Sequence, residues 1–224
     1  MEVIPVINCP DLDCVVKTVH KLEDFLLAGS WVHLDVSDSR FTYGKSWGEA
    51  KYWPKLKSSF KLEVHLMVEE PEKAVEEWLE AGAKRIIIHY EAIFNPGLRF
   101  HEVNPNEVWE EIRNKCVARG AELMLAINPE TPVEMLSPLL SKISAFQVLA
   151  VNPGPAGQIF LMPSLNKIKF LRGKLPNAKI EVDGGINPET ARLAKAAGAS
   201  ILACGTYILK NSDPDGAYHA LQSI

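Results

Sequence analysis

Short apolar runs recur along the chain with the same punctuation before them. Ala28-Gly29-Ser30 precedes Trp31-Val32-His33-Leu34-Asp35, and Ala81-Gly82-Ala83 precedes Arg85-Ile86-Ile87-Ile88-His89. Arg119-Gly120-Ala121 precedes Leu123-Met124-Leu125-Ala126-Ile127, and Ala197-Gly198-Ala199 precedes Ile201-Leu202-Ala203. Each time a helical pattern ends in glycine, the residue that tolerates the left-handed position after a helix, and an apolar run follows. The runs barely alternate, as expected of parallel strands covered on both faces. Val3 to Ile7, Leu62 to Val68, Phe146 to Val151 and Lys179 to Val182 read the same way, so eight strands are predicted.

Helix start signals lie between the runs. Asn187-Pro188-Glu189-Thr190 offers an N-cap, a proline at the first helical position and an acid in the first turn. Asn104-Pro105-Asn106-Glu107 does the same for a helix predicted to reach about Arg119. Pro71-Glu72-Lys73 opens another, with Val75, Trp78 and Leu79 on one face. Eight strands alternating with eight helical segments demand a parallel sheet, and so an α/β fold. In 224 residues this is the size of one (β/α)₈ TIM barrel, predicted as a single domain over residues 1–224. An open doubly wound sheet is the competing arrangement, but the G-x-G-x-x-G fingerprint is absent. The one long connection, Glu91 to Val103, follows the fourth strand, where a barrel places active-site loops.

Composition narrows the function classes. Hydrophobic residues at 47% and charged residues at 23% are those of an ordinary globular protein. A net charge of −4 argues against a nucleic-acid partner, which calls for a basic face. The longest apolar runs fall far below the roughly 20 residues of a membrane span, so no membrane association is expected. Met1-Glu2-Val3-Ile4-Pro5 lacks the basic start and long apolar stretch of a signal peptide. Cys9, Cys14, Cys116 and Cys204 are scattered without a C-x-x-C pair, and are expected to be reduced, mostly buried thiols of a cytoplasmic protein.

Barrel chemistry sits where strands end, and those positions yield a short polar list. His33 and Asp35 come from the second strand, His65 from the third, His89 and Glu91 from the fourth, and Asp183 from the seventh. His33 and Asp35 are two apart on a strand, so both point to one face, where an imidazole and a carboxylate need partners. A lone histidine on an apolar strand is more often a hydrogen-bonded core residue, and an aspartate at a strand end is often a turn residue. Two histidines and two carboxylates delivered to one mouth instead point to a divalent-metal or acid/base site. His20, His101 and His219 fall on predicted helices or a loop and are read as surface residues. Asn152 to Gln158, Asp183-Gly184-Gly185 and Cys204-Gly205-Thr206 form three successive glycine-rich loops after strands six to eight. Any one of them reads as a turn; together they favour a phosphate site of backbone N–H groups.

These segments resemble the ribulose-phosphate 3-epimerase family over nearly the whole chain. The resemblance lies in His33-Leu34-Asp35-Val36-Ser37-Asp38, Val64-His65-Leu66-Met67-Val68 and Ile88-His89-Tyr90-Glu91-Ala92. It continues in Leu125 to Pro132, in Val151-Asn152-Pro153-Gly154 with Gly157-Gln158, and in Glu181-Val182-Asp183-Gly184-Gly185. It implies one divalent ion held by His33, Asp35, His65 and Asp183, with Asp35 and Asp183 as the catalytic acid/base pair. The donor set suits iron(II), manganese, cobalt or zinc. It also implies a sugar phosphate held by Gly154, Pro155, Ala156 and Gly157, by Gly184 and Gly185, and by Gly205 and Thr206, with His65 and Met67 beside the substrate. The activity implied is epimerisation at carbon 3 between D-ribulose 5-phosphate and D-xylulose 5-phosphate through an enediolate, in a homo-oligomer.

The chain departs from the family pattern around this quartet. Val6 stands where the family has a serine that contacts substrate, Ser37 and Ser39 replace a methionine and a glycine, and Tyr43-Gly44 replaces Pro-Asn. Leu149 replaces a methionine, and Pro155-Ala156 replaces Phe-Gly. These changes keep two alternatives open: an epimerase of a ketohexose 6-phosphate such as D-allulose 6-phosphate, or a weakly active or non-catalytic phosphosugar-binding barrel. The cost of burying four ionisable groups disfavours the non-catalytic one.

Overall fold

Each apolar run becomes a strand: β1 (Glu2–Ile7), β2 (Trp31–Ser37), β3 (Lys61–Met67), β4 (Arg85–His89), β5 (Glu122–Ile127), β6 (Ala145–Leu149), β7 (Lys179–Asp183) and β8 (Ile201–Cys204). The computed structural model describes residues 1–95 and 104–224. Strand order follows the sequence, β1 to β8, in a closed parallel barrel. The glycines that close the preceding helical turns lie in the left-handed region, from φ +64 at Gly120 to +111 at Gly198.

The helices are α1 (Leu12–Glu23), α2 (Pro71–Glu80), α3 (Tyr90–Phe94), α4 (Pro105–Ala118), α5 (Ser164–Lys174), α6 (Pro188–Ala197), α7 (Thr206–Leu209) and α8 (Pro214–Gln222). Asn187 caps α6 in a reciprocal capping box with Thr190, and Asn104 caps α4 by accepting from the Asn106 N–H. Two of the eight expected helical segments differ. Ala50–Leu56 and Val133–Leu139 are 3₁₀ helices, with Pro54 and Pro138 inside them. An interior proline lacks the N–H that a regular helix needs, which confines both segments to short, tight turns. The long connection after β4 opens with α3, and its residues 96–103, including His101, lie outside the described residues.

Two compact units make up the chain, Ile7–Leu123 and Met1–Val6 with Met124–Ile224. In the first, register sets His33 opposite Glu63 and Asp35 opposite His65 between β2 and β3. Ile86, Ile87 and Ile88 are all completely buried, as a strand covered on both faces requires. Val75, Trp78 and Leu79 of α2 are buried as their spacing predicts. In the second unit, β5 pairs with β6, β6 with β7, β7 with β8 and β8 with β1, all in parallel. Ala191, Ala194 and Ala197 form the buried face of α6.

The cysteine expectation needs one correction. Cys9 and Cys14 are joined in a disulfide, their Cα atoms 5.6 Å apart, across the turn from β1 into α1. The turn brings together two cysteines that the linear spacing did not mark as a pair. Cys116 and Cys204 are free and buried. Among the described residues, no helix is long and apolar enough to cross a membrane.

Candidate functional site

β2 and β3 carry three buried polar side chains that converge. Asp35 Oδ1 lies 3.1 Å from His33 Nε2 and 3.0 Å from His65 Nδ1. Both imidazoles are fully buried and the aspartate nearly so. Possible ligand atoms of His33, Asp35 and His65 all lie within 4.8 Å of one another. The other Asp35 oxygen, Oδ2, accepts from Asn8 Nδ2 at 2.9 Å.

Behind His33 stands Glu63, which accepts from the imidazole Nδ1–H at 2.7 Å. Glu63 is held in turn by Arg85 Nη1, whose guanidinium also donates from Nε to Glu122 at 2.8 Å and lies 4.4 Å over the Trp31 ring. Behind His65 stands His89, with the two Nε2 atoms 2.8 Å apart, and His89 Nδ1 is 3.3 Å from Glu91 Oε2.

The electrostatics follow from these contacts. Burial alone would lower the pKa of His33, but hydrogen bonds to Asp35 and Glu63 win and raise it well above the usual histidine value. Burial would raise Asp35, and the His33 and His65 hydrogen bonds instead hold it well below the ordinary carboxylate range. Glu63 is likewise depressed against burial, first by its bond to His33. His65 is pushed down to about 4 by burial, with Asp35 opposing only in part.

This donor set fits a divalent cation. A His33 that donates from Nδ1 to Glu63 presents a lone pair at Nε2, directly against an Asp35 oxygen that can only accept. Two acceptors at that separation need a positive charge between them, and the raised His33 pKa expresses the same demand for a proton. Ligating histidines held from behind by a carboxylate are the usual arrangement at metal sites.

The glycine-rich loops lie in the other unit, together with Asp183 at the end of β7, which is partly exposed. A Cβ on Gly157 would sit 3.8 Å from Thr206 Oγ1, so the loops after β6 and β8 adjoin. Gly184 (φ +102) and Gly185 (φ +66) admit no side chain: a Cβ would come within 2.3 Å of Val151 Cγ2 and 2.4 Å of the Phe160 backbone nitrogen, respectively. Gln158 braces the first of these loops by donating to the Asn152 and Pro155 carbonyls at 2.7 and 2.8 Å. Pro155, Ala156 and Gly157 are exposed, and Gly154, Gly205 and Thr206 partly so. Val6 is buried and would touch a Cβ added at Gly205, at 3.3 Å. Met67 ends β3 and is buried.

Of the unusual serines, Ser37 has a structural role. Ser37 and Ser46 exchange N–H to Oγ bonds at 2.8 and 2.9 Å, and Ser46 Oγ donates to the Asp35 carbonyl, which closes the loop after β2. Ser39 adopts φ +65, a conformation that costs an L-residue about 1–2 kcal/mol. Glu63, Arg85 and Asn8 escaped the sequence reading. Glu63 had a signal, since it stands two residues before His65 and on the same strand face. His20 and His219 are exposed, as expected.

The profile of the Ribulose-phosphate 3 epimerase family matches residues 3–209. The chain is 32% identical over 199 residues to the ribulose-phosphate 3-epimerase of Schizosaccharomyces pombe, covering 86% of this chain and 81% of that protein. It is 34% identical to the Chlamydia muridarum enzyme of the same name, over 93% of this chain and 88% of its relative. In fold it is similar to the 3-hexulose-6-phosphate synthase of Salmonella typhimurium, at a TM-score of 0.67 and 13% identity, covering 100% of this chain and 97% of the other. The match over nearly the whole length leaves one assignment: this chain belongs to the ribulose-phosphate 3-epimerase family, and is an isomerase.

Proposed function

We propose that the protein epimerises a ketopentose phosphate at carbon 3, interconverting D-ribulose 5-phosphate and D-xylulose 5-phosphate. One divalent cation, of iron(II), manganese, cobalt or zinc, would be held by His33, Asp35, His65 and Asp183. The observation that carries this reading is the single Asp35 oxygen flanked by two imidazole nitrogens at 3.1 and 3.0 Å. Family membership supports it, and so does the general rule that strand C-terminal ends in a barrel of this order share one catalytic face.

When bound, the cation supplies Lewis-acid stabilisation to the oxygens that gain charge as the carbon 3 proton leaves. The chain's own residues handle the proton. One carboxylate removes it from carbon 3, the C–H electron pair forms a double bond between carbons 2 and 3, and the carbonyl π pair moves onto the carbon 2 oxygen to give an enediolate. The other carboxylic acid returns a proton to carbon 3 from the opposite side, inverting it. Asp35 Oδ2, which accepts from Asn8, is the oxygen suited to carry the proton on its side. Asp183 serves the other face. The loops at Gly154–Gly157, Gly184–Gly185 and Gly205–Thr206 contain no lysine or arginine, so backbone N–H groups and the Thr206 hydroxyl would take the phosphate.

A coupled assay on metal-loaded protein in deuterated water tests this reading, with ribulose 5-phosphate and ketohexose 6-phosphates as substrates. Turnover of ribulose 5-phosphate with deuterium at carbon 3, abolished by Asp183→Asn, is the expected result. Preference for a ketohexose 6-phosphate would move the assignment to that substrate. Full activity in Asp183→Asn would remove the two-aspartate mechanism.

A further inference from the structure

A second buried chain of polar groups runs from His65 away from Asp35, and its meaning rests on the cation reading above. His65 and His89 stack with centroids 5.0 Å apart and planes inclined by 22°, their Nε2 atoms 2.8 Å apart. His89 Nδ1 then lies 3.3 Å from Glu91 Oε2. Both rings are fully buried and Glu91 is buried with them. Phe41, whose N–H is held by Asp38, packs 4.7 Å from the His89 ring.

Proton accounting gives this chain a direction. An ionised carboxylate only accepts, so with Glu91 in that form the His89 proton sits on Nδ1. His89 Nε2 is then a lone pair, and it accepts from His65 Nε2–H. His65 Nδ1 is left as a lone pair, aimed at the place where Asp35 Oδ1 and His33 Nε2 also point. With the protons reversed, His65 Nδ1 would carry a hydrogen toward Asp35, and the His89 lone pair would face Glu91. One order presents a ligand and the other blocks it.

We infer that Glu91 and His89 are positioning residues: together they fix the tautomer of His65 so that Nδ1 is offered to the cation. Glu63 does for His33 in one step what Glu91 does for His65 in two. Glu91→Gln is the informative change, because its amide nitrogen can donate to His89 Nδ1 and reverse the whole relay. Loss of such an outer partner typically lowers metal affinity by roughly tenfold to a hundredfold.

Zn²⁺ affinity would be measured on the full chain by competition with a chromophoric chelator, for the unaltered protein and for Glu91→Gln. Thermal unfolding of both metal-free proteins would check that the variant is folded. In parallel, long-range ¹⁵N spectra of the Zn²⁺-loaded unaltered protein would locate the His89 proton, and this needs no variant. The expected results are a tenfold or greater loss of affinity in Glu91→Gln and a His89 proton on Nδ1. Affinity in folded Glu91→Gln within twofold of the original, or a His89 proton on Nε2, overturns the relay and leaves the cation reading intact. Failure of the unaltered protein to bind Zn²⁺ overturns both.

Discussion

His33 donates from Nδ1 to Glu63 Oε1 across 2.7 Å, and neither side chain has any exposure. Glu63 is also the partner of the buried Arg85, so one carboxylate serves both the candidate cation site and the charge beneath it. Glu63→Gln should lower folding stability by about 3–5 kcal/mol, because it leaves a buried guanidinium short of charge. Denaturant titration of the metal-free protein measures this. A variant within 1 kcal/mol of the original would mean that Glu122 alone suffices for Arg85.

Asn8 acts on the carboxylate proposed for proton transfer, through the oxygen that the two imidazoles do not share. Its amide donates to Asp35 Oδ2, the oxygen assigned to proton transfer. Asn8→Ala removes a hydrogen bond to a charged group, worth about 1.5–3 kcal/mol. Turnover should fall roughly tenfold to a hundredfold, with a smaller change in Zn²⁺ affinity. Equal kcat in the variant would exclude Asn8 from orienting Asp35.

Thr206 offers a hydroxyl beside Gly157, and Val6 offers a methyl wall beside Gly205. Thr206→Val should raise KM by the equivalent of about 1.5–3 kcal/mol, the worth of one hydrogen bond to a charged group. If ribulose 5-phosphate is the substrate, Val6→Ser should raise catalytic efficiency toward it by supplying a hydroxyl in place of the methyl wall. A clear loss in Val6→Ser would point to a substrate that packs an apolar surface there.

The disulfide predicts a thiol count. Denatured, unreduced protein should titrate the two free thiols of Cys116 and Cys204, and all four cysteines only after reduction. Four reactive thiols without reductant would show that Cys9 and Cys14 are open.

Burial pushes both the Cys116 and the Cys204 thiols up from 9.0 to about 12. Between pH 9 and 12 the unfolded chain therefore releases protons that the folded chain keeps, so these thiols make stability fall as pH rises. Below pH 9 both states are protonated and the thiols add no pH dependence. Cys116→Ala should flatten the alkaline part of the stability profile, whatever its effect at neutral pH. An unchanged slope in urea midpoints from pH 9 to 11 would contradict this.

The sequence by itself determined the strands to within about two residues at each end, because their boundaries are written locally in turn glycines, N-cap asparagines and unbroken apolar runs. It also singled out His33, Asp35 and His65, since polar side chains on apolar strands have no local explanation. Only the tertiary structure decided what those side chains face. Period-two alternation places Glu63 and His65 on one face of β3, but interstrand register is what sets His33 against Glu63 and Asp35 against His65. The Cys9–Cys14 bond and the His65–His89–Glu91 relay were hidden for the same reason. Each depends on distances of a few ångströms between groups on different strands or across a turn, and linear spacing does not encode these until the chain has folded.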